Sequence, residues 1–394
     1  MSTPTNGYRP RILHVLGTPN WAGAQKAVLS FITHQEMHLY DHIVLFILAD
    51  TGNGLERFIQ HGISSKFCLA QFNHLKLLPS YRLNRWVRLR LVSLFPYRLA
   101  HLIHRYKISL VHSHVVAYLK EQAQASVTIS KRPWIFTAQS LYGLRQTPAN
   151  LPKRIASIIS KSPARLTGVS EAALASWIQQ ADFPPEKCSV IPNGVEVTKF
   201  RTTAEQRKQW RTKHCFPENA LIFGSTGRLA PEKGYDVLID AAAMLLKEGL
   251  PIFVVIAGDG PLHQHLNTRI VELGIQNNVY LIGFQENVQA LLAGLDVFVL
   301  PSFSEGLSLS LLEACVSGLP CIATAVGGTV ELLGNGRGKL ITPGSPQELA
   351  AAMESLMTPL VRRELAANSL NISQSYSIES VAQKYRELYE QLLN

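Results

Sequence analysis

The composition of this 394-residue chain is that of a globular protein with large cores. Hydrophobic residues make up 46% of it and charged residues 17%, which argues against global disorder, and the length is enough for two or three domains. Five cysteines without a C-x-x-C pair indicate a reduced, cytosolic protein, and we expect neither a signal peptide nor a transmembrane helix.

Charge is distributed unevenly along the chain. Residues 1–200 contain 23 Lys and Arg against 9 Asp and Glu, a net charge of +14. Residues 201–394 contain 15 and 19, a net charge of −4. This asymmetry predicts two domains with different partners.

Apolar runs of strand length recur through the first half, and helical patterns separate them. The predicted strands are 11–17, 42–49, 108–114, 133–138 and 165–170. Strands that alternate with helices imply parallel βαβ units. Pro192, Asn193 and Gly194 punctuate the stretch 189–200, which we interpret as a hinge.

A second series of the same kind follows the hinge. Its predicted strands are 220–227, 251–258, 279–283, 296–302 and 320–325, and a last amphipathic helix occupies 376–394. The fold class is therefore α/β, with two Rossmann-like, doubly wound domains facing each other across a cleft. We place the N-terminal domain at 1–195 and the C-terminal domain at 196–375, and we expect helix 376–394 to cross back to the N-terminal domain.

Two loops of the second series have the residues of a phosphate site. "GRLAPEKG" (227–234) carries Arg228 and Lys233 after a strand, where charge-assisted hydrogen bonds can hold a phosphate group. "AGDGP" (257–261) is a tight turn that allows close approach of a ligand. The alternatives are two solvated surface cations and a purely structural turn.

"VHSH" (111–114) ends a predicted strand with two histidines. Alternation places His112 and His114 on the same face, and His114 is better placed to face a cleft. A histidine pair can bind a metal, but no third ligand lies nearby in the sequence. We therefore predict no metal site.

"SEGLSLSLLEA" (304–314) has a glutamate near each end. Gly306 permits a turn after Glu305, and Ser308 or Ser310 can cap a helix that contains Glu313. Amides at the start of that helix attract phosphate. The alternative for Glu313 is a structural role toward the helix dipole.

Several common motifs are missing from the sequence. It has no D-x-D, which argues against a divalent-metal clamp on a diphosphate. It has neither G-x-x-x-x-G-K-[ST] nor G-x-G-x-x-G after the first strand, which argues against ATP and NAD. We expect no cofactor.

Residues 165–350 resemble the retaining glycosyltransferases of family 4, which have the GT-B fold. The resemblance rests on motifs that agree in order and spacing, and they are "VSEA", "VIPNGVEVTKF", "GRLAPEKGYDVLIDA", "IAGDGP", "YLIGF", "VLPSFSEGLSLSLLEACVSGLPCIATAVGGTVELL" and "GKLITPGSP". The N-terminal half is similar more loosely, through its first loop and "VHSH".

The resemblance implies roles for single residues. Arg228 and Lys233 correspond to the pair that contacts the donor diphosphate. Glu305 corresponds to a carboxylate at the donor sugar near the reaction centre, Glu313 to the glutamate that holds the ribose hydroxyls, and His114 to a histidine beside the sugar. The other donor-binding positions that the resemblance implies are Gly23, Gly283, Phe284, Gly306, Leu307, Ser308 and Leu309.

The implied activity is a metal-independent, retaining transfer of a hexose from a UDP- or GDP-linked sugar. The acceptor is expected to be a hydroxyl of a glycan or a lipid-linked precursor in cell-surface polysaccharide or lipopolysaccharide synthesis. A nucleotide-sugar epimerase has the same fold and is the alternative enzyme. A nucleic-acid-binding module is the third interpretation, because Trp86, Phe95 and Tyr97 lie in a basic stretch.

That stretch, 81–107, contains seven Lys and Arg and reads as a basic amphipathic helix that Pro96 breaks or kinks. Arg82, Arg85 and Arg88 lie away from its apolar side and suit an anionic membrane surface. We therefore expect a cytoplasmic protein that is peripheral on the inner face of the cytoplasmic membrane. The alternative is a core-facing helix with a solvated basic face.

Overall fold

The computed structural model describes two compact units. It describes residues 9–17, 21, 23–47, 53–68, 85–143, 149–372 and 374–394, and it excludes the side chains of 64–68 and 85–93. The first unit consists of Met1–Gly194 with Ile378–Asn394, and the second of Val195–Ser377.

The first unit is built on a seven-stranded sheet in the order β3-β2-β1-β4-β5-β6-β7, counted within the described residues. Every pairing is parallel. The strands are β1 Arg11–Leu16, β2 Asp41–Phe46, β3 Ser64–Cys68, β4 Ile108–Ser113, β5 Trp134–Ala138, β6 Ala164–Gly168 and β7 Cys188–Val190. The helices are α1 Gly23–Ile32, α2 Gly54–Gln60, α3 Arg85–Arg105, α4 Leu119–Ala123, α5 Leu151–Ser160 and α6 Glu171–Ile178.

Helices cover both faces of this sheet. One core gathers Phe95, Leu99 and Ile103 of α3 with side chains of β4, β5 and α5. The other gathers α1 with the C-terminal helix, whose bounds are Ile378–Leu393. That helix belongs to the first unit, and it buries Tyr385 and Tyr389 against the sheet.

The second unit repeats the plan with six strands in the order β10-β9-β8-β11-β12-β13. They are β8 Leu221–Thr226, β9 Ile252–Ala257, β10 Val279–Leu281, β11 Val297–Leu300, β12 Cys321–Thr324 and β13 Lys339–Ile341. Its helices are α7 Ala204–Lys213, α8 Tyr235–Lys247, α9 His263–Glu272, α10 Val288–Gly294, α11 Leu309–Val316, α12 Gly328–Leu333, α13 Pro346–Ser355 and α14 Pro359–Leu370, which makes the C-terminal helix α15. The predicted α/β class with two doubly wound domains is confirmed.

Two details refine the sequence-based expectation. Of the predicted break or kink at Pro96, a break is absent because α3 continues through the proline, with Phe95, Leu99 and Ile103 buried around it. The stretch interpreted as a hinge begins inside β7, and the boundary between the two units falls within it, between Gly194 and Val195. Within the described part of the chain, no helix is long and apolar enough to cross a membrane.

Candidate functional site

The second unit places its polar loops at the point where the strand order reverses. Strand β8 lies between β9 and β11, so the connections leave it in opposite directions. Ligands of doubly wound sheets bind at the carboxyl ends of the strands at such a point. The loops that begin here are 227–234 after β8 and 301–308 after β11.

Lys233 and Glu305 meet across this point. Lys233 Nζ lies 2.6 Å from Glu305 Oε1, and the Ser302 hydroxyl donates to the same oxygen at 2.7 Å. The Lys233 side chain is 22% exposed and that of Glu305 10%. Two loops 72 residues apart in the chain thus share one ion pair, which stays accessible to a ligand.

Arg228 lies in the same loop as Lys233 but is exposed. Its side chain makes no hydrogen bond or ion pair within the described residues, so it is available to an anion from solvent. The loop therefore has two cations: Lys233, which Glu305 holds in place, and Arg228, which is exposed.

The turn "AGDGP" (257–261) is hydrogen-bonded to this loop through the backbone. The Leu229 amide donates to the Asp259 carbonyl at 2.9 Å, and the Gly227 amide donates to the Ala257 carbonyl at 3.0 Å. Gly258 has φ +149°, and a Cβ on it would lie 1.8 Å from the Gly227 carbonyl oxygen. The glycine is thus required for contact between two backbone segments.

Helix α11 begins beside Glu305. Ser308 is its N-cap and accepts a hydrogen bond from the Leu311 amide at 3.4 Å, so of the two predicted caps Ser308 is the one used. Gly306, Leu307 and Ser308 are buried. Glu313 is the fifth helical residue and only 3% exposed, which separates it from Glu305 as loop and helix.

Of the remaining predicted positions of the second unit, Gly283 and Phe284 follow β10 and Leu309 begins α11. The Gly283 carbonyl accepts from the Gly258 amide at 2.8 Å, which ties it to the supporting turn. Phe284 is 58% exposed. Leu309, the first residue of α11, is half-buried.

The first unit has a different arrangement at its own reversal point, between β1 and β4. His14 of β1 pairs in register with His112 of β4, and His114 follows that strand. His14 Nδ1 lies 3.2 Å from His114 Nε2, and His14 Nε2 lies 3.0 Å from His42 Nδ1. Four histidines therefore form one buried cluster, which we call the histidine cluster.

The other ring nitrogens of His42 and His112 contact hydroxyls and a carbonyl. His42 Nε2 lies 3.1 Å from the Met37 carbonyl oxygen. His112 Nδ1 lies 2.7 Å from the Tyr389 hydroxyl, and its Nε2 lies 2.7 Å from Thr137 Oγ1. Helix α15 therefore contributes directly to the cluster.

Burial keeps these histidines neutral. It lowers the pKa of His42 to about 4 and the pKa of His114 to about 3. Burial also lowers the pKa of His14 and of His112 well below the usual range, and the neighbouring histidines lower both further.

The histidine cluster contains a third possible metal ligand, His14, beside His112 and His114. His14, His112 and His114 each offer a ring nitrogen, and these nitrogens lie within 4.8 Å of one another. The sequence did not indicate His14, because it lies in the apolar strand run "RILHVLG" 100 residues from His114. The nitrogens of His14 and His112 and the Nε2 of His114 are engaged in the hydrogen bonds above, so a metal would have to displace at least some of them.

Two other predictions concern the first unit. Gly23 begins α1 and is exposed, with open space where a Cβ would project. Of the predicted membrane contacts, Arg82 lies outside the described residues. Arg85 and Arg88 belong to α3, but the structure describes only their backbone.

Two family models match the chain. The one described as Glycosyltransferase Family 4 matches residues 21–199, and the one described as Glycosyl transferases group 1 matches residues 206–368. The chain is a glycosyltransferase that is similar to family 4.

Two curated relatives are similar to this chain. The UDP-Gal:alpha-D-GlcNAc-diphosphoundecaprenol alpha-1,3-galactosyltransferase of Escherichia coli is 30% identical over 54% of this chain and 56% of the relative. The phosphatidylinositol N-acetylglucosaminyltransferase GPI3 subunit of Saccharomyces cerevisiae is 27% identical over 75% of this chain and 66% of the relative. The chain thus spans less than two thirds of the length of each.

A solved structure is similar over nearly the whole chain. Anabaena HepE, crystallised in complex with UDP-glucose, has a TM-score of 0.80 and 22% identity, and the match covers 97% of this chain and 100% of that one. This likeness shows that the chain has the two-domain, Rossmann-like GT-B fold.

Proposed function

We propose that the chain transfers a hexose from a nucleotide diphosphate sugar to a hydroxyl with retention of anomeric configuration. The observation that supports this most is the Lys233–Glu305 pair beside the N-terminus of α11, at the reversal point of the second sheet. The pair combines a cation for a diphosphate with a carboxylate for a sugar in one place.

The leaving diphosphate gains negative charge as its bond to the anomeric carbon breaks. Lys233, Arg228 and the first amides of α11 are proposed to stabilise that charge without a bound metal. Such stabilisation acts strongly because the groups are in place before the reaction. Glu305, already bonded to Lys233 and Ser302, orients the sugar, and Glu313 holds the ribose hydroxyls.

The acceptor oxygen is proposed to attack the anomeric carbon on the face that the diphosphate leaves. The new C–O bond forms as the old one breaks, and the acceptor proton passes to an oxygen of the departing phosphate. Glu305 forms no covalent intermediate in this scheme. His114 is proposed to lie beside the donor sugar, as the resemblance to family 4 implies.

The donor is proposed to be UDP- or GDP-linked and the acceptor a glycan or lipid-linked hydroxyl in cell-surface polysaccharide or lipopolysaccharide synthesis. Support for UDP and a lipid-linked acceptor comes from the name of the E. coli relative, which acts with UDP-Gal on a diphosphoundecaprenol compound. The net charge of +14 over residues 1–200 supports a peripheral position on the anionic inner face of the cytoplasmic membrane.

A panel of UDP- and GDP-sugars tests the proposal. Each is scored by thermal shift and by nucleotide release, with and without a membrane extract as the source of acceptor. We expect one donor to raise the melting temperature and to release nucleotide faster when the extract is present. If no donor does either, the proposal is wrong, and conversion of a donor to its epimer without extract would favour an epimerase.

A further inference from the structure

One nitrogen of the histidine cluster differs from the others. His114 is 5% exposed, and its Nδ1 is buried without a hydrogen-bond partner among the residues that the structure describes. A buried polar atom without a partner is destabilising. Such an atom beside the reversal point of a doubly wound sheet is placed to bind a ligand.

Whether His114 Nδ1 donates or accepts is determined far from His114. The Met37 carbonyl can only accept, so His42 Nε2 must hold its proton and donate across their 3.1 Å contact. His42 is neutral, so its Nδ1 is an acceptor. The chain of roles therefore starts at a backbone atom.

The next two contacts transmit this choice. His14 Nε2 must donate to His42 Nδ1 across 3.0 Å, which leaves His14 Nδ1 as an acceptor. His114 Nε2 must then donate to His14 Nδ1 across 3.2 Å. The neutral ring of His114 has no second proton, so its Nδ1 carries a lone pair.

We propose that the Met37 carbonyl, through His42 and His14, fixes His114 as the Nε2–H tautomer and so presents Nδ1 as an acceptor for a hydroxyl of the substrate. His14 and His42 are positioning residues, since neither is proposed to touch the substrate. The assignment of the hydroxyl to a nucleotide sugar or its acceptor rests on the proposed function, whereas the tautomer does not.

The setting suits a fixed relay. His14 lies in the middle of three adjacent parallel strands, β2, β1 and β4, whose register holds the rings. Burial lowers the pKa of each ring, so an extra proton does not disturb the sequence of donors and acceptors at neutral pH. A free imidazole in water would exchange between tautomers, whereas a fixed one meets a hydroxyl without reorganisation.

Nuclear magnetic resonance of the protein labelled with ¹⁵N-histidine tests this directly, without substrate. The ¹⁵N–¹H couplings of each ring distinguish a protonated nitrogen from a bare one, and the His114 signals are assigned by their loss in His114→Gln. We expect a bare Nδ1 and a protonated Nε2 at His114. A protonated Nδ1, or an even mixture of tautomers, would overturn the proposal.

A substitution at the start of the relay provides the second measurement. His42→Leu removes the acceptor of His14 Nε2, so the Nε2–H population of His114 should fall from above about 90% to about half. His42→Gln should restore it, because the amide can donate to the Met37 carbonyl and accept from His14. An unchanged tautomer in His42→Leu would show that the relay does not operate.

Thr137→Val is the matched control. Thr137 is fully buried in the same cluster but contacts His112, which is not a link between Met37 and His114. It should leave the His114 tautomer unchanged, and a shift equal to that in His42→Leu would indicate general loosening and overturn the proposal.

The two proposals fail separately. The expected tautomer in a protein that transfers no sugar would reject the proposed function alone, and an active enzyme with the other tautomer would reject this inference alone. Once the donor is known, His42→Leu should lower kcat/KM about three- to tenfold, the effect of one neutral hydrogen bond, and His42→Gln should recover it.

Discussion

The two units have the same sheet topology but opposite chemistry at their reversal points. In the second unit the loops after β8 and β11 bring together a lysine and a glutamate that remain partly accessible and a buried serine. In the first unit β1 and β4 bring together histidines that burial keeps neutral. One topology thus has a charged pair at the reversal point of one unit and an uncharged, hydrogen-bonded cluster at that of the other.

The cause of the difference is where the polar residues lie relative to the strands. Lys233 and Glu305 belong to loops, where water can solvate a charge until a ligand replaces it. His14, His42 and His112 lie within strands, where burial makes a charge costly and leaves only hydrogen bonds.

The largest effect that would sharpen this contrast is expected at the charged site. Lys233→Ala should lower kcat/KM at least about 100-fold, because it removes a preorganised cation from the leaving phosphate. Steady-state kinetics with the donor identified by the panel measures it. Lys247→Ala, an exposed lysine at the end of α8, is the control. A loss at Lys233 within about threefold would show that the pair is not a phosphate clamp.

Gly258 tests whether the charged site depends on backbone contact. Gly258→Ala should lower the free energy of unfolding by about 2–4 kcal/mol, since its Cβ would overlap the Gly227 carbonyl. Gly274→Ala is matched in having a positive φ, +70°, but has nothing within 4 Å, so about 1 kcal/mol is expected. Scanning calorimetry compares them, and equal losses would contradict the contact.

Because the buried histidines have lowered pKa values, we expect the stability of the fold to depend on pH. The unfolded chain binds protons at imidazoles with a pKa of about 6.5, whereas the folded pKa of His42 is about 4 and that of His114 about 3. The free energy of unfolding should therefore fall as pH drops from about 6.5 toward 4, by about 1 kcal/mol per pH unit for each histidine.

Groups that face the cluster do not cancel this dependence. Burial raises the pKa of Tyr40 and of Tyr385 to about 12 and raises the pKa of Tyr389 well above its usual value, so none titrates in this range. Asp41 favours and His38 opposes the charged form of His42, and both effects are smaller than that of burial. Urea unfolding at pH 7, 6 and 5 measures the slope, and equal midpoints would contradict neutral histidines in the fold.

The smallest effect concerns the unequal charge of the two halves. Arg85→Glu with Arg88→Glu should weaken co-sedimentation with phosphatidylglycerol vesicles at low salt, because each cation contributes about 1 kcal/mol at an anionic surface. Lys208→Glu with Lys213→Glu makes the same change of charge on α7 of the second unit. If both pairs bind alike, or the wild type does not bind, α3 is not the membrane contact.

Much of the fold could be predicted from the sequence because the strands of both sheets are continuous apolar runs. The strands that the sequence did not predict, β3, β7 and β13, are short edge strands, for which local pattern is weak. Local propensity predicts that Pro96 breaks or kinks the helix. The structure has no break there, because tertiary packing of α3 preserves the helix.

Some residues of the candidate sites could also be predicted from the sequence, and others could not. Arg228, Lys233 and Glu305 could be singled out because they lie in glycine-containing loops after predicted strands and in motifs that resemble family 4. His14 and His42 could not, since only the parallel register of three strands brings positions 28 and 100 residues apart into one hydrogen-bonded chain.

A crystal structure with the donor bound tests the central claim most directly. The account predicts the diphosphate within hydrogen-bond distance of Lys233 and Arg228, the sugar at Glu305 and the ribose hydroxyls at Glu313. A donor bound elsewhere, or one whose ribose lies far from Glu313 while its phosphates avoid Lys233, would contradict it.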